Sequence, residues 1–139
     1  AVDASVAALE VARRNAANLG LGRVGFLAGD WFAPVAGRRY DVVVSNPPYI
    51  ETTDGHLSEG DLRFEPMSAL ASGADGLDDI RRIATEAAAH LQAEGWLLME
   101  HGWNQGEAVR AILHAAGGED VFTARDLADR DRVSGARWR

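Results

Sequence analysis

Tyr40-Asp41-Val42-Val43-Val44-Ser45-Asn46-Pro47-Pro48-Tyr49 begins as a strand and ends as a corner. Three consecutive valines favour extended backbone, because branching at Cβ crowds a helix and packs well on a pleat. A run that is apolar on both faces is the pattern of a parallel strand covered on both sides. The two prolines have no N–H and stop any ladder. They set a stiff, extended turn whose carbonyls stay free to accept. Asn46 adds a side-chain oxygen and Tyr49 a ring for stacking, so residues 46–49 border a planar slot with two acceptors.

Such a slot suits a planar NH₂ group, either a carboxamide or an exocyclic base amine. That nitrogen is a weak nucleophile because its lone pair is delocalised. Held through both N–H bonds by the Asn46 side-chain oxygen and the Pro47 main-chain oxygen, it turns its lone pair out of the conjugated plane toward an electrophile. The same acceptors stabilise the positive charge that grows on nitrogen during attack. Asn46, Pro47, Pro48 and Tyr49 are therefore the candidate catalytic and substrate-holding residues. The alternative is a plain diproline loop; the strand-Asn-Pro-Pro-aromatic context favours the chemical reading by about ten to one.

On either side the periodicity alternates between strand and helix. Ala1–Asp3 reads as the end of a buried strand, and residues 4–19 as a helix with Val6, Leu9, Ala12, Ala16 and Leu19 on one face, closed by Gly20. A short strand is predicted at 24–28, followed by Gly29-Asp30-Trp31-Phe32. Residues 50–75 form a long irregular stretch, and loops of that length tend to be functional. Helices are predicted over 78–92 and 104–116, with strands at 95–100, 121–123 and 133–138. The order βαβ…βαβαββ predicts one α/β domain with an open, mostly parallel sheet and helices on both faces. Its last two strands form an antiparallel hairpin, since about nine connecting residues leave no room for a crossover helix.

The 139 residues carry a net charge of −7, with 21 acids and 14 bases, all of the latter arginine; 47% are hydrophobic and 25% charged, enough for a real core. The absence of cysteine excludes disulfide frameworks, thiolate zinc sites and cysteine nucleophiles. It also fits a reducing, cytoplasmic setting. No apolar run approaches the roughly 18–20 residues of a membrane span. An acidic chain without a basic stripe is not expected to bind nucleic acid directly. His56, His90 and His114 lack metal-ligand spacing. Glu59, Asp61, Glu65, Asp75, Asp78 and Asp79 read as a solvated face or as caps, so no metal site is expected.

In open α/β sheets ligands bind at the carboxyl ends of the strands. Asp3, Asp30-Trp31, Asn46–Tyr49 and Glu100-His101 all occupy such ends and are expected to line one rim. Asp3 suits the two hydroxyls of an adenosine ribose and suits a helix N-cap equally well. Asp30 could accept from an adenine amine with Trp31 as its flat wall, although a turn acid beside a packed tryptophan is favoured roughly 2:1 on these two residues alone. His101 reads first as a structural hydrogen-bonding residue and second as a site residue.

Taken together these residues resemble the HemK/PrmC family, the S-adenosylmethionine-dependent methyltransferases that modify the glutamine of the Gly-Gly-Gln motif in peptide chain release factors. The likeness spans nearly the whole chain: Ala1-Val2-Asp3, Arg14-Asn15-Ala16, Asp30-Trp31-Phe32, Val44-Ser45-Asn46-Pro47-Pro48-Tyr49-Ile50, Arg63-Phe64-Glu65-Pro66, Ala69-Leu70, Gly76-Leu77, Leu98-Met99-Glu100-His101-Gly102, Gln105-Gly106-Glu107-Ala108-Val109-Arg110 and Asp126-Leu127-Ala128. Asn-Pro-Pro-Tyr is shared with several amino-group methyltransferases, including enzymes acting on adenine in DNA. Arg-Phe-Glu-Pro and Glu-His-Gly are more specific to the protein-glutamine group.

The resemblance implies a Rossmann-like class I methyltransferase fold, S-adenosyl-L-methionine as cofactor, release factors as partners through their Gly-Gly-Gln loop, N5-methylglutamine as product, and a monomer. It implies that Asp3 binds the cofactor ribose, that Asp30 and Trp31 border the adenine, that Asn46 faces both the methionine end and the substrate, and that residues 46–49 hold the glutamine amide. It also implies that a helical N-terminal domain, and a first strand with a Gly-rich loop, lie upstream of Ala1. Residues 1–139 are thus read as an N-terminally truncated methyltransferase domain. That first strand would sit in mid-sheet, so its absence is expected to leave two strands without a partner, about 10 Å apart across one empty position at roughly 4.8 Å per neighbour. The stretch alone is then expected to be poorly stable and to bind cofactor weakly or not at all. The rival readings are a methyltransferase for a glutamine of a large-subunit ribosomal protein, a nucleic-acid adenine methyltransferase, and a non-catalytic remnant of the fold.

Overall fold

In the computed structural model, which describes residues 1–53 and 66–139, the chain divides into two units, Ala1–Arg38 and Arg39–Arg139. His56, Glu59, Asp61 and Glu65, and the Arg63-Phe64-Glu65 part of the family motif, lie outside the described residues.

The first unit holds strand β1 (Val2–Asp3), helix α1 (Val6–Asn18), strand β2 (Leu27–Ala28) and a short 3₁₀ turn at Ala33–Val35. Ser5 starts α1 by accepting the Ala8 N–H on its hydroxyl at 3.2 Å, which satisfies one of the helix's orphan donors. Leu9 and Ala16, seven residues apart on one stripe, are its buried residues. Gly20, at φ +68°, closes the helix in the left-handed region. β1 and β2 pair in parallel, Val2 with Leu27 and Asp3 with Ala28. The strand expected from residue 24 is shorter because Val24 is in a turn, its N–H bonded to the Leu21 carbonyl at 3.3 Å.

The second unit holds β3 (Tyr40–Ser45), a 3₁₀ turn at Met67–Ala69, α2 (Asp78–His90), β4 (Leu91–Glu100), α3 (Gly106–Ala115), β5 (Glu119–Arg125) and β6 (Asp131–Trp138). The sheet order is β3-β4-β6-β5. β3 and β4 run parallel, while β6 is antiparallel to both β4 and β5. The final pair is therefore the expected hairpin, with its second strand inserted beside β4. β4 starts earlier than Gly95 because it carries a bulge: Tyr40 pairs with Leu91 but Val42 with Trp96. Glu94 turns this excursion at φ +64°.

Residues in register point to the same side of a sheet. Val43, Leu97 and Ala136 therefore share one face with Ser45, Met99, Ser134 and Thr123. Helices α2 and α3 pack there, bringing Ile80, Ile83, Ala87, Val109 and Leu113 onto Leu97 and Met99 as the core, each almost without exposure. Each large apolar side chain so buried stabilises the fold by about 1.5–3 kcal/mol. Within this unit both helices cover a single face of the sheet. The other face carries Val42, Val44, Trp96, Leu98 and Phe122, with Trp96 and Phe122 in an edge-to-face contact at 5.8 Å.

The reading of β3 as a strand covered on both sides is corrected by the structure. Val42 is 51% and Val44 73% exposed. Among the described residues β3 pairs with β4 and β1 with β2, each along one edge, and neither described helix of the second unit packs on the face of those two valines.

Candidate active site

In the first unit, Asp3 ends β1 and Asp30-Trp31 follows the end of the parallel strand β2. The Gly29 N–H bonds to the Asp3 carbonyl at 3.1 Å, so both positions sit at the carboxyl rim of the same two-stranded sheet. The carboxylate of Asp3 is exposed and accepts the Ser5 N–H at 2.7 Å. It shapes the turn into α1, but the N-cap itself is Ser5, which corrects the capping alternative. Trp31 is half-buried and takes φ +44°. A bulky residue in the left-handed region costs about 1–3 kcal/mol, and such outliers cluster at functional sites.

In the second unit the corner follows Ser45, the last residue of β3. Asn46 is exposed, Pro47 and Pro48 are buried, and Tyr49 is half-buried. The prolines thus anchor the turn while Asn46 faces outward. Ser45 pairs with Met99, which places the corner beside the end of β4. There the Tyr49 hydroxyl donates to a Glu100 carboxylate oxygen at 3.1 Å. Burial, and then the Glu100 charge, push the Tyr49 phenol above its ordinary value, so it stays protonated and keeps donating. Stacking was the role expected of this ring; the structure adds a fixed hydroxyl.

Of the stretch read as irregular over 50–75, the described residues 50–53 and 66–75 are bonded to one another. Ile50 bridges Ala71 in parallel, with Ile50 N–H to Leu70 O at 2.9 Å and Ser72 N–H to Ile50 O at 3.0 Å. Gln105, 8% exposed, donates from its amide to the Tyr49 carbonyl at 2.9 Å and to the Asp75 carbonyl at 3.3 Å. Its amide oxygen accepts the Gly102 N–H at 2.8 Å. Neither Glu100 nor Gln105 was assigned a role by sequence. Glu100 had a signal, its place at a strand end. Gln105 has only its place in the family-like run Gln105–Arg110, which names no role for it, and the helix predicted over 104–116 takes it in, whereas α3 begins at Gly106.

His101 is fully buried and structural. One ring nitrogen, Nδ1, lies 2.8 Å from the Gly102 carbonyl, and the other, Nε2, 2.8 Å from the Ser134 hydroxyl. Ser134 meets Thr123 at 2.7 Å, and Arg110 donates to Thr123 at 2.7 Å. Burial holds the imidazole below its ordinary value.

Comparison with known proteins adds three findings. Residues 1–60 match the methyltransferase small domain family. A release factor glutamine methyltransferase from Xylella fastidiosa (strain Temecula1) is 56% identical over 137 residues, which is 99% of this chain and 50% of that protein. Another from Pseudomonas aeruginosa is 51% identical over 138 residues, again 99% of this chain and 50% of that protein. The chain spans about half the length of the curated relatives it matches. Among solved structures, a methyltransferase from Pyrococcus furiosus superposes with a TM-score of 0.71 at 16% identity, covering 98% of this chain and 60% of that one. The fold is that of the Rossmann-like class I methyltransferases.

Proposed function

We propose, from the 56% and 51% identity of this chain to release factor glutamine methyltransferases, that it forms part of a protein-(glutamine-N5) methyltransferase acting on the Gly-Gly-Gln glutamine of peptide chain release factors. The observation that carries the proposal is the corner itself. Asn46 stands exposed on two buried prolines, at the carboxyl end of a parallel strand, with the following residue bonded at both its carbonyl and its hydroxyl.

S-Adenosylmethionine, when bound, supplies an electrophilic methyl group on a sulfonium. The first unit's rim has the donor set for the adenosine part: an exposed carboxylate at Asp3, then Asp30 with the half-buried Trp31 just beyond the end of the adjacent strand β2. Asp3 would hold the ribose, and Asp30 and Trp31 would border the adenine. The Asn46 side-chain oxygen and the Pro47 carbonyl would accept both N–H bonds of the glutamine carboxamide. Two acceptors in that arrangement turn the nitrogen lone pair outward and favour the charge that develops there, which amounts to positioning plus electrostatic preorganisation. The nitrogen would take the methyl group as its bond to the sulfonium sulfur breaks, the electron pair staying on sulfur to leave the neutral thioether S-adenosylhomocysteine, and would then lose a proton to solvent, with no side chain required as base. The assignment of residues 1–139 to a methyltransferase domain, the monomeric state and the cytoplasmic setting belong to the same proposal. No helix among the described residues is long and apolar enough to cross a membrane.

The test is methyl transfer by the full-length protein from labelled S-adenosylmethionine to a release factor, with the product mapped by mass spectrometry. One methyl on the Gly-Gly-Gln glutamine is expected, and none on a release factor whose motif glutamine is alanine. Labelling of a ribosomal protein or of DNA adenine in place of the release factor would overturn the substrate assignment.

A further inference from the structure

Two prolines leave the corner without N–H groups of its own at positions 47 and 48, so something else must hold it. We propose that Gln105 is a positioning residue that fixes the Asn46-Pro47 corner through the Tyr49 carbonyl, with Gly76 kept side-chain-free to admit that contact. The inference rests on the proposed methyl transfer for its catalytic consequence, but not for its geometry.

The orientation of the Gln105 amide follows from its partners. The Gly102 N–H can only donate, so the atom facing it at 2.8 Å is the amide oxygen. The NH₂ group is thereby aimed at two carbonyls, Tyr49 at 2.9 Å and Asp75 at 3.3 Å. All three partners are main-chain groups from different segments: the end of the corner, the turn before α2 and the turn after β4. One buried side chain thus staples three loops. Its donors and acceptor are matched in a way a carboxylate cannot reproduce, because a carboxylate would face two carbonyl oxygens.

Gly76 provides a second, independent observation at the same point. It has φ +72°, and a Cβ there would lie 2.3 Å from the Tyr49 carbonyl oxygen and 2.9 Å from the Gln105 amide nitrogen. Backbone cannot yield to such a contact cheaply. The approach of residues 75–76 to Tyr49 therefore requires glycine both for its conformation and for its missing side chain. Tyr49 is gripped from two directions, its carbonyl by Gln105 and its hydroxyl by Glu100 at 3.1 Å. The Pro47 carbonyl, proposed to accept one of the substrate N–H bonds, is two residues away along a chain stiffened by Pro48. An error of about 1 Å there costs on the order of 100-fold in rate.

The experiment uses the full-length protein with Gln105→Met, which keeps the length and loses both hydrogen-bonding roles, and Gln105→Glu, which reverses the donor. Amide hydrogen exchange at Ile50 and Ser72 reads the corner directly, with Leu97 in the core as internal reference. Exchange at Ile50 is expected to rise about tenfold or more in both variants while Leu97 is unchanged. In methyl-transfer assays on a Gly-Gly-Gln release factor, kcat is expected to fall about 10–100-fold with KM for S-adenosylmethionine within about twofold of wild type. Unchanged Ile50 exchange, or a wild-type kcat in Gln105→Met, overturns the clamp. Equal protection loss at Leu97 and Ile50 also overturns it, since Gln105 would then be merely structural. If the wild-type protein methylates no release factor, the proposed substrate falls, and the exchange data alone decide the clamp.

Discussion

At the scale of single residues, direction of donation settles the protonation of His101. The Gly102 carbonyl only accepts, so Nδ1 carries the proton and Nε2 accepts from Ser134. Ser134 is then free to accept from Thr123, and Thr123 from Arg110. Every donor in that line meets one acceptor, and a second ring proton would break it. The imidazole is held below its ordinary value by burial first. In the unfolded chain it takes up a proton near pH 6.5; in the folded protein it does so only at lower pH. The stabilising contribution is therefore complete above about pH 6.5 and is lost as pH falls below it, where the unfolded state binds more protons. Melting temperature is expected to drop between about pH 7 and pH 5.5, and His101→Gln is expected to remove that component of the slope. An identical slope in the variant would contradict the assignment. The diproline corner beside Asn46 is legible in the sequence because its cause is local: two prolines without N–H groups end the strand and need no tertiary context to do so. Gln105 is not, because its partners lie at positions 49, 75 and 102, and only folding brings them together.

Elements were read well in kind and less well at their ends. α2 begins at Asp78 as the spacing predicted, with Asp78 and Asp79 in its first turn where the helix dipole favours acids. Its orphan N–H at Asp79, however, is satisfied by the hydroxyl of Ser72 at 2.8 Å, from seven residues upstream. No cap motif has that spacing, so the signal was absent from the sequence. Ser72 is 3% exposed, and Ser72→Ala leaves the donor without its partner. The loss is expected to be about 1 kcal/mol, a few degrees in melting temperature, with kcat and cofactor KM little changed. No shift in thermal unfolding would argue that water replaces the hydroxyl. β3 was read correctly in extent, Tyr40–Ser45, but wrongly in surroundings. Periodicity reports which side chains seek burial, and the valines of β3 do; it cannot report whether a neighbour is there to bury them.

At the scale of the molecule, that mismatch sets the expected behaviour of residues 1–139 expressed alone. Among the described residues β1 and β3 each pair along one edge, and Val44 is 73% exposed in a β-branched run. An unpaired edge with exposed valines is a template for association. The stretch by itself is expected to bind an apolar dye and to show no micromolar affinity for S-adenosylmethionine in calorimetric titration; micromolar binding would contradict this. For the full-length protein the central claim is that the exposed asparagine on a diproline corner holds the substrate carboxamide. The most direct test is Asn46→Ala assayed with a Gly-Gly-Gln release factor, taking kcat and the cofactor dissociation constant separately. The account predicts a fall in kcat of about 100-fold or more, as for loss of a group that positions and stabilises the reacting atom, with cofactor affinity nearly unchanged. Equal losses in both, or full turnover without the Asn46 oxygen, would contradict it.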